Sequence, residues 1–149
     1  MTSLGTLANK IATTTWKVGG GSSTYLYDVP TTAYQYEVGS SASTTTYDAK
    51  IGLMYVSDYG FAADQSGWTT KLSSYGSNSS KNWLFLGSAE WNISRNSGLT
   101  GLAFTVTGTG YVSYTSVTLS RGVRPSFNLE SSVKYVSGSG SMSDPVRVN

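Results

Sequence analysis

Leu102-Ala103-Phe104-Thr105-Val106-Thr107-Gly108-Thr109-Gly110-Tyr111-Val112-Ser113-Tyr114-Thr115-Ser116-Val117-Thr118-Leu119 is the stretch on which the fold class turns. Leu102, Phe104 and Val106 alternate with smaller or polar residues, and residues 111–119 alternate again, the period of half-buried strands. Gly108 and Gly110 flank Thr109 between the two runs, and glycines at such a tip let the chain close an antiparallel hairpin. Downstream, residues 122–129, 133–136 and 145–148 read as further strands, with Ser137-Gly138-Ser139-Gly140-Ser141 leading to the last. Upstream, residues 50–57 carry Ile51, Leu53 and Tyr55 on one face and Gly52, Met54 and Val56 on the other. A strand apolar on both faces is a central one, and Asp58-Tyr59-Gly60 is expected to stop it. The run Asn82-Trp83-Leu84-Phe85-Leu86-Gly87 has the same character.

The first part of the chain reads differently. Leu4, Leu7, Ala8 and Ile11 fall at i, i+3, i+4, i+7, which predicts a short helix over 4–12 capped by Thr2 or Ser3. A strand is expected around Trp16 and Val18, then a loop over Gly19-Gly20-Gly21-Ser22-Ser23, because successive glycines favour neither helix nor strand. Residues 28–37 open a second short helix with Pro30 in its first turn, where the missing N–H costs nothing. Residues 40–46 form a Ser/Thr loop, and residues 62–75 hold a helical turn near Trp68. No internal repeat is present. The expected fold is α+β over a single domain, residues 1–149. It has one or two short N-terminal helices and a twisted, mainly antiparallel sheet built mostly by the second half.

Composition narrows the chemistry. Of 149 residues, 62 are Gly, Ser or Thr, and there is no Cys and no His. This removes His- or thiolate-based zinc sites, Cys nucleophiles, Ser-His-Asp triads and disulfides. So polar a chain could stay unfolded, but 13% of it is aromatic, and each ring can bury roughly 150–250 Å². The net charge is +2, and the ten Lys and Arg are scattered except for Arg121 and Arg124. Nucleic-acid binding normally shows clustered bases, so it is not expected. No segment approaches the ~18 apolar residues of a membrane span, and residues 1–16 lack the basic and apolar regions of a signal peptide. Without Cys, a Lys-Asn or Lys-Asp isopeptide bond is one possible covalent staple, visible as loss of ammonia or water from the intact mass.

Three blocks carry a resemblance: residues 50–62 (KIGLMYVSDYGFA); Asn82-Trp83-Leu84-Phe85-Leu86-Gly87 running into Glu90-Trp91-Asn92-Ile93-Ser94-Arg95-Asn96; and Gly122-Val123-Arg124-Pro125-Ser126-Phe127-Asn128-Leu129, followed by the Ser-Gly repeat and Asp144-Pro145. Together they resemble the extracellular domains of surface proteins of gut Firmicutes, which often carry a prepilin-like N-terminal anchor. The Gly-Val-Arg-Pro block is also similar to the terminal strand of C-type-lectin-like folds, including formylglycine-generating-enzyme-like and phage or retroelement receptor-binding domains. The resemblance implies a C-type-lectin-like domain displayed outside the cell, with its anchor lying outside this sequence. It brings no activity with it.

The lectin-like relatives bind sugar through calcium held by Glu-Pro-Asn and Trp-Asn-Asp motifs. Here Glu90-Trp91-Asn92 is followed by Ile93, no Glu-Pro-Asn occurs, and calcium wants six to eight oxygens. No metal or other cofactor is expected, and the paired Cys of formylglycine-generating enzymes are missing. No two of the eight carboxylates stand at a persuasive spacing for hydrolysis. Gly19-Gly20-Gly21 precedes Tyr25 rather than a helix start, so it is not read as a phosphate cradle.

The binding candidates are Trp91, Asn92, Arg95, Asn96, Tyr111 and Tyr114. Aromatic faces give contact area at low conformational cost, and Asn and Arg give hydrogen bonds. In lectin-like folds the loops between later strands build the binding face, and residues 88–101 and 113–121 occupy that place. A competing reading puts Trp91 in the core and leaves the polar residues solvated. Asp58 reads as a turn former or, functionally, as a metal ligand or general base. Arg124 reads as structural, pairing with Glu90, Glu130 or carbonyls. The sequons Asn78-Ser79-Ser80 and Asn92-Ile93-Ser94 read as accidental.

The expected function is a non-enzymatic surface binding or adhesion module. Its partner would be a glycan, a host or bacterial surface protein, or another copy of the chain. The alternative is a structural, pilin-like subunit of a filament, with no nucleic-acid partner and no membrane span in this chain.

Overall fold

The computed structural model describes residues 8–141 and 143–149. In chain order its elements are β1 (Thr14–Lys17), α1 (Ser23–Leu26), α2 (Pro30–Glu37), β2 (Thr46–Ala49), β3 (Gly52–Leu53) and α3 (Val56–Phe61). Two 3-10 segments follow, Gln65–Thr69 and Leu72–Lys81, and then β4 (Glu90–Arg95), β5 (Leu102–Val106), β6 (Val112–Ser116), β7 (Pro125–Ser126), β8 (Tyr135–Ser137) and β9 (Arg147–Val148). The architecture is mixed α+β. Its strands form four small antiparallel sheets, β1-β2, β3-β7, β4-β5-β6 and β8-β9, in place of one continuous sheet.

The hairpin forms where its alternation places it. Leu102 faces Ser116, Phe104 faces Tyr114 and Val106 faces Val112. Gly110, at φ +90°, closes the turn, and a Cβ there would also sit 2.3 Å from that of Ser79. Phe104, Val106 and Val112 are buried and join Leu26, Val56, Tyr59, Leu72 and Tyr75 in the main core. Tyr59 and Tyr75 bury their rings but satisfy their hydroxyls, donating to the carbonyls of Gly110 (2.7 Å) and Gly60 (2.8 Å). This is how so many tyrosines are accommodated inside. Burial pushes the Tyr75 phenol up to about 12.

The N-terminal helix expected over 4–12 lies mostly outside the described residues. Residues 8–10 form a 3-10 turn, and Ile11 is buried where it bridges to Leu129. The helix at Pro30 forms with Pro30 at its start, and the turn near Trp68 is the first 3-10 segment. The single turn α1 follows the glycine run, so a helix does start there, contrary to expectation.

Further expectations are overturned. Residues 50–57 are not a central strand: only Gly52–Leu53 pairs, and the chain then turns into α3. The Asp58 carboxylate accepts the Tyr55 N–H at 2.8 Å, while Glu37, remote in sequence, accepts the N–H groups of Val56 and Ser57 at 2.9 and 2.8 Å. These carboxylates satisfy N–H groups that a helix start leaves orphaned. Asp58-Tyr59-Gly60 therefore lies inside a helix. Gly60 is required by packing, since a Cβ there would meet Pro30 Cγ at 2.6 Å, where α2 and α3 press together.

Residues 82–87 are likewise not a strand. The Asn82 side chain accepts from the Leu84 N–H (2.9 Å) and donates to the Tyr59 carbonyl (2.6 Å), folding the segment into a turn against α3. Trp83 and Leu86 are left outside, 77% and 65% exposed. Residues 122–129 and 133–136 are not continuous strands: they form β7 over Pro125–Ser126 and the start of β8 at Tyr135, with isolated bridges from Gly122 to Glu90 and from Leu129 to Ile11.

Finally, neither segment read as a loop is one throughout. Residues 88–101 contain strand β4 and residues 113–121 contain most of β6. β4 hides from hydrophobic periodicity because its inward residues, Glu90, Asn92 and Ser94, are polar, while Trp91, Ile93 and Arg95 face the other way. Three of its residues, 92–94, stand opposite Phe104 alone, a bulge between the Trp91–Thr105 and Arg95–Ala103 pairs.

The described lysine amines do not meet buried Asn or Asp side chains. Those of Lys10, Lys17 and Lys50 reach backbone oxygens, and that of Lys81 lies 3.8 Å from Asp64 with both side chains about half exposed.

Candidate functional site

β1, the head of α3 and the segment after β7 enclose a cavity of about 420 Å³, lined by Thr14–Lys17, Val38, Tyr55, Asp58, Ser126, Phe127 and Asn128. A second cavity of about 390 Å³ adjoins it, lined by Met54, Asp58, Phe61, Ala62, Trp83, Leu84, Arg124 and Ser126. Asp58 and Ser126 line both, so the two cavities adjoin at a carboxylate, and the pair is called the trough below.

Several of the wall residues are held from behind. The Trp16 indole N–H donates to the Ala49 carbonyl at 3.0 Å, and its ring lies on Gly52, where a Cβ would come within 2.8 Å. The Tyr55 hydroxyl accepts the Lys17 N–H (2.9 Å) and donates to the Lys17 carbonyl (3.1 Å), fastening α3 to β1. The Lys17 amine donates to the Val38 carbonyl at 3.0 Å. Arg124 forks onto both Glu90 oxygens, with Nε–Oε2 at 2.9 Å and Nη2–Oε1 at 2.6 Å, and Nη2 also donates to the Leu84 carbonyl at 2.5 Å. Of the partners expected for Arg124 from sequence, Glu90 and a carbonyl are the ones it meets, which makes Glu90 an ion-pair partner.

Asp58 is exposed as a residue, but partial desolvation of its carboxyl pushes it up, ahead of the opposing bond from the Tyr55 N–H. The Tyr55 phenol is raised by burial as well, the Lys17 hydrogen bond opposing and the charges of Glu37 and Asp58 adding. Asp58 Oδ2 is engaged by Tyr55, whereas Oδ1 has no partner among the described residues. A carboxylate oxygen with open lone pairs, set between aromatic walls, can accept hydrogen bonds from a polyhydroxylated ligand whose apolar faces lie on the rings. Among the described residues no three His, Cys, Asp or Glu gather as a metal site.

The six residues singled out from sequence do not share one surface. Asn92 and Asn96 are buried, 4% and 2% exposed. Neither polar atom of the Asn92 amide has a hydrogen-bond partner among the described residues, nor does Asn96 Nδ2. Burial in β4 also closes the Asn92 sequon. Tyr114 packs inward on Tyr27 and Phe104, with ring centroids 5.6 and 5.8 Å away. Trp91 is half-buried on the outer face of β4 with Arg95 exposed beyond it, and Tyr111 is exposed by the hairpin turn. Sequence reasoning missed Trp16, Trp83 and Phe127. The signal for Trp83 was Asn82, a side chain able to turn the chain and leave the following residue outside. Asp58 had been singled out, though as a turn former, metal ligand or general base.

The described residues thus define a mixed α+β protein whose helices and small antiparallel sheets frame an aromatic trough. No helix among them is long and apolar enough to cross a membrane. Compared with known proteins, the chain matches no family model, no curated protein and no solved structure.

Proposed function

We propose that this chain is a non-enzymatic binding module, displayed outside the cell with a C-type-lectin-like fold, that holds a neutral glycan in the trough. The observation that carries the reading is the adjacency of two cavities at Asp58 and Ser126, with Trp16 and Phe127 lining one and Trp83 the other. Trp83 is 77% exposed and Phe127 40%, an arrangement suited to stacking on sugar rings. The formal charges lining the trough are balanced: Lys17 stands in the same cavity as Asp58, and Arg124 is paired with Glu90. That favours an uncharged ligand. It also leaves the basic groups committed to structural bonds, so the reading is binding without reaction.

A glycan and mucin array followed by calorimetry tests this. Covering roughly 80–100 Å² of the Trp83 face is worth about 2 kcal/mol, so W83A should weaken a neutral oligosaccharide roughly thirtyfold, and D58N should weaken it as well. No binding on the array at high protein concentration would count against the reading.

The alternative, a pilin-like structural subunit, is favoured by a different observation. Val117, Leu119, Val123, Tyr135, Val136 and Val146 are between 45% and 67% exposed, and exposed apolar groups on one stretch of chain suit subunit contacts. Sedimentation velocity decides: concentration-dependent assembly reduced by V123K and V136K supports a filament, and a monomer at all concentrations argues against one.

A further inference from the structure

We infer that the Gly19–Gly21 loop and Arg95 form a second site, separate from the trough, that takes a sugar bearing a carboxylate or sulfate group. A cavity of about 330 Å³ lies there, lined by the three glycines, Arg95, Ser41, Ser43, Ser97 and the Tyr25–Tyr36 pair. Its lining contains a guanidinium and no acid. The buried carboxylate of Glu37 accepts from the Ser94 hydroxyl on the opposite face of β4. The Arg95 guanidinium makes no hydrogen bond or ion pair among the described residues, unlike Arg121, Arg124 and Arg147, which do.

The main chain that carries Arg95 is fastened to the glycine loop. The Gly21 N–H donates to the Arg95 carbonyl at 3.3 Å, and the Ser97 N–H donates to the Gly21 carbonyl at 3.0 Å. Gly20, at φ +64°, lies so close that a Cβ would fall 1.9 Å from the Arg95 carbonyl oxygen. Only glycine allows this approach, which fixes the base of Arg95 against the loop. Tyr25 and Tyr36 stack with centroids 3.5 Å apart and planes 4° from parallel, giving a flat wall. A planar fork that binds carboxylate or sulfate through two parallel bonds, beside serine hydroxyls and an aromatic wall, matches an acidic sugar.

The test uses amide and guanidinium NMR shifts of the ¹⁵N-labelled chain. It is titrated with N-acetylneuraminic acid, its methyl ester, galactose 6-sulfate and inorganic sulfate. Shifts at Gly19–Gly21, Arg95 and Ser97 are expected with one or both acidic sugars, and whichever binds identifies the anion. The methyl ester should bind at least tenfold more weakly than the acid if the carboxylate is read, and inorganic sulfate more weakly than the sulfated sugar. R95Q, at an exposed position, should weaken the acidic sugar roughly ten- to hundredfold, R95K should weaken it less, and W83A should leave it unchanged. Neither acidic sugar binding, inorganic sulfate binding as tightly as both, or R95Q binding like the parent overturns the proposal. None of those results bears on the trough.

Discussion

Replacing Arg124 with methionine keeps most of the side-chain volume and removes three donated bonds, two to Glu90 and one to the Leu84 carbonyl. The Glu90 side chain is 4% exposed, so its charge would lose its counter-ion with almost no water to replace it; Arg124 itself is 24% exposed. Breaking a buried pair from one side costs about 3–5 kcal/mol, and partial solvent access at Arg124 puts R124M near the lower end, about 3 kcal/mol. In a chain of this length each kcal/mol moves Tm by roughly 2–4 °C, so a fall of about 6–12 °C is expected. Urea unfolding followed by the fluorescence of the four tryptophans measures it, with m unchanged if the native compactness survives. The E90M/R124M double variant removes both charges and should recover most of the loss, to within about 1 kcal/mol of the parent. A loss below about 0.5 kcal/mol in R124M, or single losses that simply add in the double variant, would refute the claim that this pair closes the polar seam of β4.

Acidity is a second lever. Burial raises the Glu37 carboxyl, against the bonds from Ser94, Ser57 and Val56. A carboxyl raised in the folded state holds its proton there when the unfolded chain has lost it. Stability therefore falls as pH rises from the ordinary carboxyl range through the raised value, and urea midpoints should be higher at pH 5 than at pH 7. E37Q should lose part of that slope and be less stable by about 1–3 kcal/mol, because an amide N–H₂ would face a backbone N–H. A midpoint that drops between pH 7 and pH 5 contradicts this. Asp64 acts oppositely, lowered first by its bond from Ser66, so its contribution is lost only in stronger acid. At Asn92 the amide is buried without partners, and N92L should be neutral or stabilising by about 1 kcal/mol. A loss greater than that in urea unfolding would mean the amide is satisfied in solution.

Much of the local structure was legible in the chain. Period-two alternation and the Gly-Thr-Gly tip placed the β5–β6 hairpin, and Pro30 placed α2. The absence of Cys and His closed whole classes of chemistry from the composition alone. These signals are local: each depends on residues a few positions apart, whose geometry the backbone itself constrains.

What tertiary structure decided was which side of each apolar or polar run faces inward. Val56 and Ser57 begin a helix because the carboxylate of Glu37 is brought to their N–H groups from another element. Trp83 lies outside because Asn82 is tied to Tyr59. Glu90 can be buried, and β4 can turn a polar face to the interior, because Arg124 arrives from far along the chain. The trough itself exists only where β1, α3 and the β7 segment meet. No window of sequence contains those meetings, since the long-range hydrogen bonds and ion pairs that offset the cost of burying a polar side chain have partners that are adjacent only after folding.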